Sequence, residues 1–318
     1  MRSPLYLSEN DVRALAPSAG ALADALNDAF AARSAGRVTM PLKTAMRCAG
    51  SEAFFHTMPA AIPGRTVGVK WVGGSPDNAA GGLPHVGAVL VLADPRTGLP
   101  TAIIEAAHLT ALRTAAISLL AARFLVRADA CSIGFIGCGL QARAHLRALL
   151  EEFPIEEIAV AGRRPHAIDA FVREAAEAGL SSWACSADEA MASSDIVVST
   201  VPARQGLTPF LDARRLRAGA TAIMVDLGRS WRPEAVTAFD ACFTDDMEQS
   251  GALAGNNPAF QAMSFAGDLP GLVTGGSGRC HDDTRLAFLF PGVALADIAA
   301  GACLLASAEA AGVGTRPD

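Results

Sequence analysis

The stretch "CSIGFIGCGLQARAHLRALL", residues 131–150, limits what this chain can fold into more than any other. A short, almost wholly apolar run ends at a glycine, a second glycine follows two residues on, and helix formers begin at once. Gly137, Gly139 and Ala142 stand in the G-x-G-x-x-A spacing. Such triplets also arise by chance, and Gly276-Ser277-Gly278 is another in the same chain, so context carries the argument. Here a buried strand precedes the turn, a helix follows it, and a second apolar run, "EIAVAG", comes about twenty residues later. Gly137 permits the tight turn and Gly139 lets backbone amides approach a pyrophosphate at the helix N-terminus. Leu140, Gln141 and Ala142 open that helix. A strand-to-helix turn without a ligand is the plainer alternative.

The same alternation continues. "CSIGFIG", "EIAVAG", "DIVVSTV", "ATAIMVDL" and "ACFTDD" are short, nearly continuous apolar runs separated by helical or looped stretches, as parallel strands covered on both faces should be. A doubly wound parallel sheet of Rossmann type is expected over about residues 126–279. Before it, "SENDVRALAPSAGALADALNDAFAARSAG" reads as two helices split near Pro17. Residues 37–105 read as short β runs, among them a hairpin through Asp94-Pro95-Arg96-Thr97-Gly98. "HLTALRTAAISLLAARFLV" reads as a long helix. "DTRLAFLFPGVALADIAAGACLLASAEAAG" reads as a helix beyond the sheet.

An acidic residue after the second strand would grip the ribose 2′-hydroxyl of NAD. Here that place is "AGRRP", with Gly162, Arg163 and Arg164 and no carboxylate, which suits the 2′-phosphate of NADP. Two solvated arginines on a turn are the competing reading. Thr200 and Val201, ending "DIVVSTV", are also expected to touch the cofactor. The single tyrosine, Tyr6, is followed four residues later by Asn10, so a Tyr-x-x-x-Lys pair is excluded.

Composition removes other classes. A net charge of −6, with scattered arginines, gives no footprint for nucleic acid. Seven cysteines without a C-x-x-C pair argue for free thiols in a reducing cytoplasm. The six histidines show no metal-binding spacing, no apolar leader opens the chain, and no uncharged apolar run reaches the length of a membrane span. A cytoplasmic protein is expected.

Lysine is nearly absent: 24 basic residues are arginine, and only Lys43 and Lys70 are lysine. Arginine stays charged, whereas a lysine can be made to release its proton. Lys70 lies in "GVKWVGGSPDN", read as a short strand in which Val69 and Val72 bury.

Taken in order, "VGVKWVGGSPDN", "GLP", the hairpin, "LTALRTAA", "IGCGLQARAHL" and "FPGVALADIAA" resemble the ornithine cyclodeaminase/mu-crystallin family over nearly the whole chain. The resemblance implies a substrate-binding and dimerisation domain from residues 1–125 with 285–318, around an NAD(P)-binding domain at 126–284. It implies that Arg113 pairs with a substrate carboxylate, that Lys70 is the active-site lysine, that Thr114 faces the cofactor, and that Gly292 and Asp297 sit in the family's last block, Gly292 counting with the cofactor site. Lys43 stands where the family usually has a second carboxylate-binding arginine. Gly228 matches the catalytic aspartate of cyclodeaminases, with Asp226 two residues earlier, and His56 replaces a glutamate.

These departures favour an NAD(P)H-dependent reductase of small imino acids, of ketimine reductase or amino-acid dehydrogenase type, working as a homodimer without a metal. Lys70, Arg113, His56 and Asp226 are the expected catalytic residues, and Lys43, Lys70 and Arg113 the expected substrate contacts. Lys70 should have a lowered pKa near Arg113. The alternatives are a cyclodeaminase using bound NAD and a cofactor-binding protein without turnover, as mu-crystallin is.

Overall fold

The structure is a computed structural model and describes residues 3–84, 86–204, 206–253 and 257–317. The first part of the chain runs β1 (Leu5–Leu7), α1 (Glu9–Leu15), α2 (Ala19–Ser34), β2 (Thr44–Arg47), β3 (Phe54–Ile62) and β4 (Thr66–Gly74). It continues through β5 (Val86–Ala93), β6 (Pro100–Glu105) and α3 (Ala107–Leu125). Then come β7 (Ser132–Ile136), α4 (Leu140–Leu150), β8 (Glu157–Ala161), α5 (Pro165–Glu177), β9 (Ser181–Ala184), α6 (Ala187–Ser193) and β10 (Ile196–Ser199). The remainder holds β11 (Thr221–Met224), β12 (Ala241–Thr244), α7 (Met247–Leu253), α8 (Pro258–Ala262) and β13 (Phe265–Asp268). It closes with α9 (Leu269–Leu272), β14 (Leu286–Leu289) and α10 (Ala294–Ala311). Contacts divide the chain into two units, Met1–Arg113 with Gly292–Asp318, and Thr114–Pro291.

The first unit is built on a sheet of order β1-β6-β5-β4-β3-β2, parallel only between β1 and β6. Ser8 starts α1 with a capping box shared with Asp11, and Ser18 caps α2 just after Pro17. Period-two alternation puts Met58, Ala60, Ile62, Lys70, Val72, Leu90 and Leu92 on one face, all buried. Over that face lies α10, packed on β3, β4, β5 and α2. The approach is close: a Cβ on Gly68 would stand 2.8 Å from Ile298 Cδ1, and one on Gly301 would overlap Leu90 Cδ2. A Cβ on Gly68 would also overlap the Val91 carbonyl oxygen within the sheet, so glycine at both places lets helix and strands close up without displacing a neighbour. By length and composition α10 could cross a bilayer, with a mean hydropathy of 1.5, but here it is the central helix of this unit. The expectation that Val69 buries with Val72 is corrected by the same period: three residues apart on a strand, they face opposite ways, and Lys70 shares the face of Val72.

The second unit is an all-parallel sheet of order β13-β12-β14-β11-β10-β7-β8-β9. Strands β7, β10, β11 and β14 are buried at every position, which is why each reads as an unbroken apolar run. Strand order reverses at β7, with β8 on one side and β10 on the other, and such a switch point is where open parallel sheets bind ligands.

One segment departs from the sequence reading. Residues 286–289 are not the start of a terminal helix but β14, inserted between β12 and β11, so the sheet extends past 279 and the chain re-enters the first unit at Gly292 rather than near 285. A four-residue apolar run carries no period that separates strand from helix, and Pro291-Gly292 was the break to heed. Edge strands β9 and β13 were also unread, because "SSWA" and "FAGD" lack an apolar run.

Candidate active site

The second unit opens a cleft of about 490 Å³ at the carboxyl ends of β7, β8 and β10. Gly137, Gly139, Gly162, Arg163, Arg164, Thr200 and Val201 line it, as the sequence motif anticipates. Gly137 has φ +102, and a Cβ there would lie 2.6 Å from Thr200 Oγ1, so no other residue turns the chain at this point. Gly139 caps α4 without a side-chain bond, and space is open where its Cβ would stand. Thr200 Oγ1 and Gln141 Oε1 are buried with no hydrogen-bond partner. Leu140, Gln141 and Ala142 do not line the cleft: Leu140 is exposed and Ala142 packs in the interior. Thr114 is buried in α3.

In the first unit, Lys70, Arg113 and Asp297 form a buried charge group. Lys70 Nζ donates to Asp297 Oδ1 at 2.7 Å, and Arg113 Nε lies 2.8 Å from the same oxygen, in ionic contact but off the N–H direction. Asp297 Oδ2 is buried without a hydrogen-bond partner. Burial and the neighbouring Arg113 push Lys70 down from its ordinary 10.5 to about 8, although Asp297 opposes them. The lowered pKa expected of this lysine therefore has a geometric cause. Gly292 stands beside Arg113, where a Cβ would come 2.7 Å from Nη1, so the residue counted with the cofactor site clears space for the guanidinium instead.

Register places more charge on that sheet face. His56 lies opposite Ala45 and Val72, and Arg47 lies two residues beyond Ala45 on β2, so His56, Arg47, Lys70 and Val72 share a side. Burial, then Lys43, Lys70 and Arg47, lower the pKa of His56 below its ordinary 6.5, which leaves its imidazole neutral at pH 7. Lys43 also acts on Lys70.

Asp226 is brought into neither group. Its carboxylate accepts from Ser199 Oγ at 3.0 Å, from the Gly228 amide at 3.1 Å and from Ser230 Oγ, while Trp231 Nε1 donates to Ser199 Oγ at 3.0 Å. Burial pushes its pKa up to about 6. This geometry makes it the tie of a turn that bends through Leu227 at φ 59 and Gly228 at φ 67. Gly228 itself has no room for a side chain, since a Cβ would meet Ala259 Cβ at 2.7 Å.

Asp297 has no role in the sequence expectations, and Cys138, Arg204 and Phe210, which line the cleft, are absent from them. An aspartate in the first turn of an otherwise apolar helix was the available signal for Asp297. The loop that brings Arg204 and Phe210 to the cleft has no period or motif to mark it.

Known proteins share this fold. The structure superimposes on Thermococcus litoralis Δ1-pyrroline-2-carboxylate reductase in complex with NADH and L-proline, with a TM-score of 0.88 and 27% identity over 98% of this chain and 100% of that one. It superimposes equally, at 0.88 and 27% over 99% of each chain, on an archaeal alanine dehydrogenase dimer with bound NAD. In sequence, an alanine dehydrogenase of Archaeoglobus fulgidus is 35% identical over 63% of this chain and 61% of its own. The ornithine cyclodeaminase/mu-crystallin family model matches residues 2–304, and with that span and these folds in agreement the chain belongs to that family.

Proposed function

We propose that the protein is an NAD(P)H-dependent reductase of small imino acids, able in reverse to oxidise the corresponding amino acid. One observation carries the reading: a buried, easily deprotonated lysine and a buried arginine held by one carboxylate, Asp297. An imino acid presents a carboxylate and a nitrogen that must gain a proton, and the pair answers both needs. Arg113 commits Nε to Asp297 and keeps its two terminal nitrogens for a bidentate carboxylate. Lys70 holds a proton near the working pH and gives it to the imine nitrogen. Asp297 keeps the two cations together. His56, neutral at pH 7, serves as a hydrogen-bonding neighbour more readily than as an acid.

The cleft of the second unit fits a dinucleotide. Its uncapped α4 N-terminus, the open space at Gly139 and the unpartnered Thr200 Oγ1 would hold a pyrophosphate and its ribose with Gly137, Arg163, Arg164 and Val201. The nicotinamide, when bound, supplies or accepts the hydride. Incubating the pure protein with NADPH or NADH and a panel of imino acids tests the reading, and no cofactor oxidation with any of them overturns it. The cyclodeaminase reading has less support, because Gly228, the position of that activity's aspartate, cannot carry a carboxylate here.

Arg163 and Arg164 at the end of β8, with no acidic residue beside them, support NADP(H) over NAD(H). Charge-assisted pairing is worth about 1.5–3 kcal/mol, so NADPH should bind about ten-fold or more tightly in calorimetry. Equal dissociation constants would refute the preference.

The outward face of the first unit's sheet carries Phe55, Val69, Trp71, Val89 and Val91, with Trp71 45% and Val89 39% exposed and the Phe55 and Trp71 rings 5.9 Å apart. This face, more than the strand edges, supports a homodimer. Light scattering at micromolar concentration should give twice the chain mass, and a monomer mass rules the dimer out. The free thiols of all seven cysteines support a cytoplasmic setting.

A further inference from the structure

Arg143, on α4, is tied to four groups at once. Its Nε and Nη2 donate to the two carboxylate oxygens of Glu174 at 2.5 and 2.7 Å, a bidentate pair. Its guanidinium lies 5.0 Å from the centroid of the Phe171 ring, which is buried edge-on against Phe135 of β7. Phe171 and Glu174 stand three residues apart on one side of α5, so a single helix supplies both holds. The remaining nitrogen, Nη1, donates to the Cys138 carbonyl at 2.6 Å and more weakly to that of Gly139 at 3.4 Å. With side chains 25% and 48% exposed, the Arg143–Glu174 pair adds little to stability. What it fixes is a piece of backbone.

The Cys138 carbonyl and the Gly139 amide belong to one planar, trans peptide unit and point opposite ways. Holding the carbonyl toward Arg143 therefore turns the Gly139 amide away from it. Cys138 and Gly139 line the cleft and Arg143 does not, and α4 has no side-chain cap to take its first amides. The strand end of the turn is fixed separately, by the Gly137 amide donating to Ala161 O at 2.8 Å, beside the unpartnered Thr200 Oγ1. Glycine accepts φ of either sign, so at Gly139 the peptide could otherwise rotate and present its carbonyl oxygen to the cleft. We propose that Arg143 is a positioning residue of the cofactor site, holding the Cys138–Gly139 peptide so that its amide meets the cofactor's pyrophosphate. The inference rests on reading the cleft as a dinucleotide site.

Calorimetric titration of the whole chain with NADPH and with NADH tests this without any turnover. Arg143→Met should weaken binding about ten-fold or more, the scale of one hydrogen bond to a charged group. Glu174→Ala separates position from charge. It frees the Arg143 charge from its counter-ion, so a role through charge alone predicts tighter binding of these anionic cofactors. A positioning role predicts weaker binding, because the guanidinium loses its anchor. Circular dichroism should show both variants folded, since alanine suits a helix and the pair is partly exposed. Should Arg143→Met fail to fold, Glu174→Ala carries the test. With a substrate that turns over, the loss should fall on KM for the cofactor more than on kcat, because no reacting atom is touched. Unchanged affinity in Arg143→Met, or unchanged or tighter binding in Glu174→Ala, overturns the inference and leaves the dinucleotide reading standing. A parent chain that binds neither cofactor overturns both.

Discussion

Replacing Lys70 with arginine should leave cofactor binding intact and lower turnover at least about 10²-fold, the low end for a general acid–base group. Arginine keeps the positive charge beside Asp297 but cannot release a proton near neutrality. The parent enzyme should reduce imines more slowly as pH rises through about 8, where Lys70 loses the proton it donates, and the oxidative direction should gain there. In Lys70→Arg that limb should vanish. Because Lys70 is fully buried, the larger guanidinium can strain the core by about 1–3 kcal/mol, so Lys70→Met, similar in size and uncharged, is the companion variant. Both should bind cofactor in calorimetry and both should be slow. If Lys70→Arg turns over a proven substrate like the parent, the lysine contributes only charge.

Asp297→Asn should do more damage to stability. The carboxylate is the counter-ion of two buried cations, and removing one member of a buried ionic group costs about 3–5 kcal/mol. For a chain of this size that is a fall in Tm of roughly 5–15 °C in calorimetry. The variant should also report on chemistry. Asp297 raises the pKa of Lys70 while Arg113 lowers it, so loss of the carboxylate leaves the lowering influences unopposed. Any surviving activity should show its alkaline limb below pH 8. An unchanged limb would mean that some other group controls the proton.

Much of the second unit could be read from the chain, because a parallel strand buried on both faces leaves an unbroken apolar signature, and the turn at Gly137 admits only glycine. Where that signature shrank to four residues, at Leu286–Leu289, strand and helix became indistinguishable. The first unit was legible as β-rich but not in detail, since whether Lys70 faces α10 depends on register. Lysine scarcity drew attention to Lys70 and Lys43, and register sets Lys70 on the sheet face that α10 covers. Asp297 stayed without a role because its partners lie 227 and 184 positions earlier, a pairing no local pattern encodes. Asp226 misled for the opposite reason: a carboxylate beside glycine-rich sequence looks chemical, and its bonds to Ser199 and Ser230 show a brace.

The glycines that let α10 settle on the sheet have a meaning for how such a site can be tuned. Gly68 lies two residues from Lys70 and faces Ile298, the neighbour of Asp297, while Gly301 lies one turn further along the same helix. Helix and sheet thus carry the two ends of the Lys70–Asp297 bond, and the missing methyl groups set its length. A small side chain at Gly301 would press on Leu90 and act as a shim, lifting the carboxylate from the ammonium and lowering the lysine's hold on its proton, whereas one at Gly68 would first meet the Val91 carbonyl of the neighbouring strand. The proton affinity of Lys70 is therefore adjustable from the packing layer between α10 and the sheet, by residues that lie outside the charge group itself.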